Sequence, residues 1–368
     1  MTPPLPPLAL PDFPWDRLVP DRRRAAAHPG GFADLSVGTP VDPVPALVQE
    51  ALAAAADAPG YPTTHGTPDL REAAARWLAR RFSVEVDPRD VLPTIGSKEL
   101  VAGLPTLLGV GRGDVVGLPE VAYPTYAVGA VLAGATPVAA DSLTAFGPAG
   151  VRLLWVNSPS NPTGRVLPAE HLRKVVAWAR ERDVVVASDE CYAELGWEGP
   201  EPVSVLHPEV CGGSHDNLLA VNSLSKRSNL AGYRAGLVTG DPALVARLLE
   251  VRKHAGMIVP TPVQAAMRAA LDDDEHVREQ KERYRARRAL LREALLAAGF
   301  TVEHGEAGLY LWASRGEGCW QTVAACADRG VLVTPGDFYG PSGARHVRVA
   351  LTASDEDVAR AAKALTGL

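Results

Sequence analysis

The chain predicts an α/β fold with a mostly parallel central sheet in a large domain and a smaller α+β domain after it. Three observations carry this. Short apolar runs alternate with amphipathic helical patterns over residues 91–240, and beyond residue 240 the pattern turns to long helices followed by short strands. The third is size: 368 residues, 46% of them hydrophobic, suit two or three lobes better than one small module. Strand-like and helix-like segments in alternation are the mark of βαβ units, whose crossover helices cover both faces of a parallel sheet.

Residues 1–45 carry too little apolar periodicity to stand alone and are expected to pack on the smaller domain as an N-terminal arm. Residues 46–250 are expected to form the large domain. Within it the runs 114–118, 152–156, 183–187, 218–221 and 235–239 read as buried strands, and 169–182 as a helix between two of them. Ligands of such a sheet gather at the carboxyl ends of its strands. A helix over 241–254 leads into residues 251–368, the smaller domain. There the helices 262–271 and 275–298 precede strands near 308–313 and 346–351.

A formal net charge of -6 and a pI near 5.9 argue against a nucleic-acid footprint and for small polar substrates. The one basic run, 281–292, follows the acidic stretch 272–275 in one helix, an order that suits the helix dipole and a solvated face. Cys191, Cys211, Cys319 and Cys326 have no CxxC spacing, so neither metal nor disulfide is indicated and a reducing cytoplasm is expected. The first fourteen residues are proline-rich, without the basic and apolar regions of a signal peptide, and no apolar run reaches ~18 residues. A soluble, unexported protein with no membrane partner is the expectation.

Chemistry concentrates where the predicted strands end. Ser223-Leu-Ser225-Lys226 follows a buried strand, with Arg234 eight residues beyond, in a chain that holds six lysines among thirty-seven basic residues. A solvated lysine would read the same in isolation; the surrounding segments favour a buried one. Asp189 closes the run 184–188, and a carboxylate there needs a cationic or hydrogen-bonding partner. A protonated pyridine nitrogen would serve, held cationic so that it accepts electrons. Tyr192 lies three residues on.

The run Asn157-Ser-Pro-Ser-Asn161-Pro-Thr-Gly164 is either a tight loop alone or the support that sets the Asn161 amide beside Tyr192 on a phenolate oxygen. Gly96-Ser97-Lys98 stands where a strand gives way to a helix, a place suited to phosphate or merely a capped helix start; the P-loop pattern is absent. Tyr123-Pro-Thr-Tyr126 offers an aromatic face. Arg348 alternates with apolar neighbours in His346-Val-Arg-Val-Ala and presents a planar fork that suits a carboxylate, or a surface ion pair.

Together these segments resemble the class I/II aminotransferases of pyridoxal-phosphate fold type I, along essentially the whole chain and in order. The resemblance implies that Lys226 holds the cofactor as a Schiff base, Asp189 pairs with its ring nitrogen, and Asn161 and Tyr192 bind its phenolate. It implies that Gly96, Ser97, Lys98, Ser223, Ser225 and Arg234 surround the phosphate, that Tyr123 stacks on the ring, and that Gly38 and Arg348 receive the substrate α-carboxylate. Tyr61 resembles the tyrosine that these dimers lend to the neighbouring subunit's phosphate, which implies a homodimer with shared active sites.

Within the family the segments 35–43, 204–208, 252–257 and 335–341 resemble the actinobacterial succinyldiaminopimelate aminotransferases of lysine biosynthesis. The substrate this implies is N-succinyl-2-amino-6-ketopimelate, with glutamate as donor. Lys253 and His254 are then expected to reach its distal carboxylate across the dimer. Alternatives are transamination of aspartate, alanine or an aromatic amino acid, and a carbon–sulfur lyase on the same lysine, aspartate and asparagine. Tyr123, where the aspartate-specific branch typically has tryptophan, weighs against an aspartate enzyme.

Overall fold

The computed structural model describes residues 10–147 and 150–368; of the proline-rich start and the N-terminal arm, residues 1–9 lie outside the described residues. The arm contributes helix α1 (Val19–Ala26) and strand β1 (Ala33–Asp34). Its Leu18, Ala33 and Leu35 are buried in the core of the smaller domain, and β1 pairs in parallel with a strand of that domain.

The large domain opens with α2 (Ala46–Ala54), α3 (Pro68–Phe82), β2 (Val91–Ile95) and α4 (Gly96–Leu107). Next come β3 (Val115–Leu118), α5 (Thr125–Leu132), β4 (Thr136–Ala139), β5 (Val151–Asn157), α6 (Ala169–Arg180) and β6 (Val185–Asp189). It closes with α7 (Pro208–Cys211), β7 (Leu218–Ser223), α8 (Leu224–Arg227), β8 (Ala235–Gly240), α9 (Pro242–Ala255) and α10 (Thr261–Asp272). Seven strands form one sheet in the order β2-β8-β7-β6-β5-β3-β4, in which β8 runs antiparallel to both neighbours. Helical spacing explains the packing: α6 buries Leu172, Val175, Val176 and Ala179, one stripe of an amphipathic helix. Asp241 caps α9 by accepting from the Ala243 and Leu244 amides, and Gly256 ends it in the left-handed region.

The smaller domain holds α11 (Glu275–Ala297), β9 (Thr301–Glu303), β10 (Tyr310–Ser314), α12 (Cys319–Ala327), β11 (Val331–Leu332), β12 (Thr334–Pro335), β13 (Val347–Ala350) and α13 (Asp355–Leu365). β11 is the partner of β1, and β12-β13-β10-β9 make an antiparallel sheet.

Two expectations shift. α10, assigned from sequence to the smaller domain, buries Ala266, Met267, Ala270 and Leu271 in the large-domain core beside α2 and α3. Its apolar stripe therefore places the division at the start of α11 and not at residue 250. The basic run of α11 is partly a solvated face, with Arg285 paired to Glu282, but Arg287 is buried and holds Asp42 at 2.7 Å and Asp355 at 2.6 Å. That cation ties the end of the arm to α11 and α13. Among the described residues no helix is long and apolar enough to cross a membrane, and no cluster of histidines, cysteines and carboxylates could hold a metal.

Candidate active site

The carboxyl ends of β2, β5, β6 and β7 lie along one edge of the large sheet, with Asn157 level with Asp189 and Asp189 level with Val221. Because β8 is antiparallel, its beginning lies at that same edge, Ala235 opposite Ile95 and Gly236 opposite Ser223. Arg234, just before β8, thus joins Ser97 and Ser223 although it comes from a strand's other end. Above this edge opens a cavity of about 730 Å³, closed by the arm and by β10 and β13.

Asp189 sits in its floor, 7% exposed. Its Oδ2 accepts from the Tyr126 hydroxyl at 2.8 Å and its Oδ1 from the Cys191 amide at 3.2 Å. Burial pushes its carboxyl above the usual range, and no cation among the described residues faces it. Tyr126 is held in turn by stacking on Trp155, 4.8 Å between ring centres. Lys226 is half-buried, and loss of solvent lowers its ammonium's pKa; its Nζ donates to the Gly38 carbonyl. Lowering an amine's pKa favours the free amine, the form that attacks an aldehyde.

Gly96, at φ 70°, begins α4. A Cβ there would lie 2.8 Å from the Arg234 guanidinium carbon, so glycine lets that cation lie across the helix N-terminus. Arg234 itself is left-handed, at φ 57°. With Ser97, Lys98, Ser223 and Ser225, which also line the cavity, it forms a cationic cup of hydroxyls and amides. The Ser223 hydroxyl accepts from the Ser225 amide at 3.1 Å, which caps α8.

The Asn161 amide N–H is fixed by Asn157 Oδ1 at 2.7 Å, and Asn157 Nδ2 donates to the Asp189 carbonyl at 3.0 Å. Arg348 is buried; its Nη1 donates to Asn161 Oδ1 at 3.1 Å and its Nη2 to the Ser36 carbonyl at 2.7 Å. Tyr310 lies under that guanidinium at 4.0 Å, and its hydroxyl meets that of Tyr192 at 3.2 Å. Burial raises the Tyr192 hydroxyl well above its ordinary pKa, so it stays a donor. Tyr123 lines the cavity, its hydroxyl pushed up to about 12 by burial. At Gly38 a side chain would collide with Tyr310.

Four expected site residues do not line this chain's own cavity: Gly96, which sits behind Arg234, and Tyr61, Lys253 and His254. Tyr61 is fully exposed. Lys253 and His254, on the last turn of α9, are exposed and paired back to Glu250 at 3.2 and 3.4 Å. Sequence reasoning missed Tyr310, which lies in a run of apolar residues with no motif around it. It also missed Phe13, Trp15 and Arg22 of the arm, which line the cavity as well; the aromatic pair in a proline-rich stretch was the available signal.

A buried carboxylate facing no cation, a half-buried amine and a cationic cup fit a planar cation that carries an aldehyde and a phosphate. The fold and site define a pyridoxal-phosphate-dependent enzyme. The chain belongs to the class I and II aminotransferases, whose family model matches residues 31–365. It is 64% identical over 359 residues to a probable aminotransferase of Mycobacterium tuberculosis, covering 97% of this chain and 86% of that one. It is 60% identical over 357 residues to the 4-dedimethylamino-4-oxo-anhydrotetracycline transaminase OxyQ of Streptomyces rimosus, covering 97% and 99%. A solved structure of a probable N-succinyldiaminopimelate aminotransferase from Thermus thermophilus matches with a TM-score of 0.87 at 31% identity, over 96% of this chain and 99% of that one.

Proposed function

We propose that this aminotransferase moves an amino group between glutamate and N-succinyl-2-amino-6-ketopimelate, as a homodimer in the cytoplasm. The observation that carries the reading is a surplus of cations in the cavity. Lys226 has work at the aldehyde, Lys98 and Arg234 at the phosphate and Arg348 at the α-carboxylate; Arg22 of the arm also lines the cavity and has none of these tasks. Its guanidinium pairs with Asp34 at 2.7 Å and remains partly exposed. A long substrate ending in a second carboxylate would meet it there, since such a charge needs a cation or water. The likeness to the Thermus thermophilus structure supports the same substrate. Arg22 offers that contact within one chain, and Tyr61, Lys253 and His254 remain the residues offered to a partner subunit.

In this reading Arg348 and Gly38 orient the substrate α-carboxylate. Lys226 Nζ would hold the cofactor's aldehyde and, when free, would take the proton from the substrate Cα. Asp189 would keep a proton on the ring nitrogen, and Asn161 and Tyr192 would hold the phenolate oxygen. Pyridoxal phosphate, when bound, supplies the sink for the electrons left at Cα. The arm excludes water over the site through Phe13 and Trp15.

The 60% identity to OxyQ favours a second reading, transamination of a polycyclic ketone against the same arm aromatics. A panel of glutamate with the succinylated keto acid, oxaloacetate, pyruvate, phenylpyruvate and a polycyclic ketone, followed through cofactor absorbance, separates the two. The first reading expects the highest kcat/KM for the succinylated acid, reduced in Arg22→Ala far more than for pyruvate. Preference for the polycyclic ketone, or an equal effect of Arg22→Ala on long and short acids, would overturn it.

A further inference from the structure

A second cavity, about 290 Å³, lies at the junction of the two domains, walled by β5 and α6 on one side and by β9, β10 and His346, just before β13, on the other. It is near the lower end of the size range of small-molecule pockets. Phe146, Leu154 and Trp312 give it an apolar wall and Arg165 and His171 a basic one, while Asp141 and Glu303 also line it, Glu303 paired with His346 at 3.0 Å. Burial, and after it the charge of Arg165, holds the His171 imidazole below its ordinary pKa. Trp155 borders the cavity through β5, but its ring belongs to the core on the other face of the sheet, stacked on Tyr126. The His346 ring stacks on Trp312, 4.9 Å between ring centres; its Nε2 meets Glu303 at 3.0 Å, and its buried Nδ1 has no partner among the described residues. An unpaired ring nitrogen in the wall of a pocket with a basic corner points to a ligand.

The walls are shared with the substrate clamp. Asn157 and Ser160 line this cavity while Asn161, in the same loop, lines the cofactor cavity. Asn157 Oδ1 fixes the Asn161 amide. On the other domain His346 precedes Arg348 by two residues in the chain, and Trp312 stands level with Arg348 across β10 and β13. Trp155 stacks on Tyr126, which donates to Asp189. A molecule in the second cavity therefore touches the neighbours of both halves of the Arg348–Asn161 pair, one half on each domain.

We infer that this cavity is an effector site for a small carboxylic acid with a ring-sized apolar body. The carboxylate lies on Arg165 and His171 and the body against Phe146, Leu154 and Trp312. Occupancy changes how tightly the Arg348 clamp takes substrate. The coupling is reciprocal, so substrate in the first cavity changes the effector's affinity by the same factor. The inference is independent of which keto acid the enzyme prefers.

The test uses holoenzyme and indole-3-carboxylate as probe, with calorimetric titration and substrate kinetics. A carboxylate probe could also enter the active site through Arg348, so three proteins are compared. Binding is expected in wild type and in Arg348→Lys, and it should weaken by about 10-fold or more in Arg165→Ala, whose side chain is exposed and not part of the core. Saturating probe is expected to shift the KM for glutamate by about 5-fold or more in wild type, in either direction, and by less in Arg165→Ala. A crystal soaked with the probe should show it between Trp312 and Arg165. Binding that is lost in Arg348→Lys but kept in Arg165→Ala, simple competition with glutamate, or no binding at millimolar probe would overturn the inference.

Discussion

Replacing Arg348 by lysine keeps the charge and removes the fork, which isolates what the planar geometry contributes. A guanidinium has five N–H groups. The protein uses two of them, one to Asn161 Oδ1 at 3.1 Å and one to the Ser36 carbonyl at 2.7 Å, and Nε has no partner among the described residues. The remainder suffice for two parallel bonds to a carboxylate. A lysine ammonium is a point charge and cannot make them. Losing one charge-assisted hydrogen bond costs about 1.5–3 kcal/mol, which is about 10–150-fold in kcat/KM. The clamp is made in the ground state and kept in the transition state, so most of the loss should fall on KM. Steady-state kinetics with glutamate measures it, and imine exchange with a primary amine that lacks a carboxylate, followed by cofactor absorbance, is the control. If the carboxylate-free amine slows as much as glutamate does, Arg348 acts on the fold of the site and not on the substrate, and the reasoning fails.

Replacing Asp189 by asparagine should leave the ring nitrogen largely unprotonated and lower kcat by about 100-fold or more, the cost of a broken buried pair of about 3 kcal/mol; near-normal kcat would remove the electron-sink role. Glu190 is buried and its carboxyl is raised from 4.5 to about 7, by burial before any other cause. The unfolded chain then binds fewer protons between pH 4.5 and 7, so stability falls by about 3 kcal/mol as pH rises through that window. Glu190→Gln should gain in urea midpoint over wild type at about pH 8 and gain little at about pH 5, and an equal difference at both would refute the assignment.

The parts of the site legible in the sequence are those in which one short segment does two jobs. Ser223 to Lys226, Asp189, Asn157 to Gly164 and Gly96 to Lys98 each end a buried apolar run and carry an unusual polar residue at that end, so the strand pattern placed the chemistry. What stayed hidden depends on pairing. An apolar run does not say which way it is hydrogen-bonded, so nothing in residues 235–239 announced the antiparallel β8 that turns Arg234 towards Ser97. β4 was missed because it is an edge strand with exposed ends and no strong alternation. α10 was placed in the wrong domain because helical periodicity shows that a stripe is buried but not against what.

The arm is the same problem at longer range. Residues 10–35 are poor in apolar period, yet Leu18, Ala33 and Leu35 reach full burial because the smaller domain supplies the rest of their core. Once docked there, the arm hangs Phe13, Trp15 and Arg22 over a cavity built mostly by strands far along the chain. Lys98 completes the link, its ammonium 5.6 Å from the centre of the Phe13 ring. The residues that hold the cofactor therefore belong to the large sheet, where motifs are local. Under the proposed function, those that meet the substrate's far end belong to a segment whose position is set by tertiary packing alone, so that reading lets substrate choice change through the arm without disturbing the chemistry at Lys226.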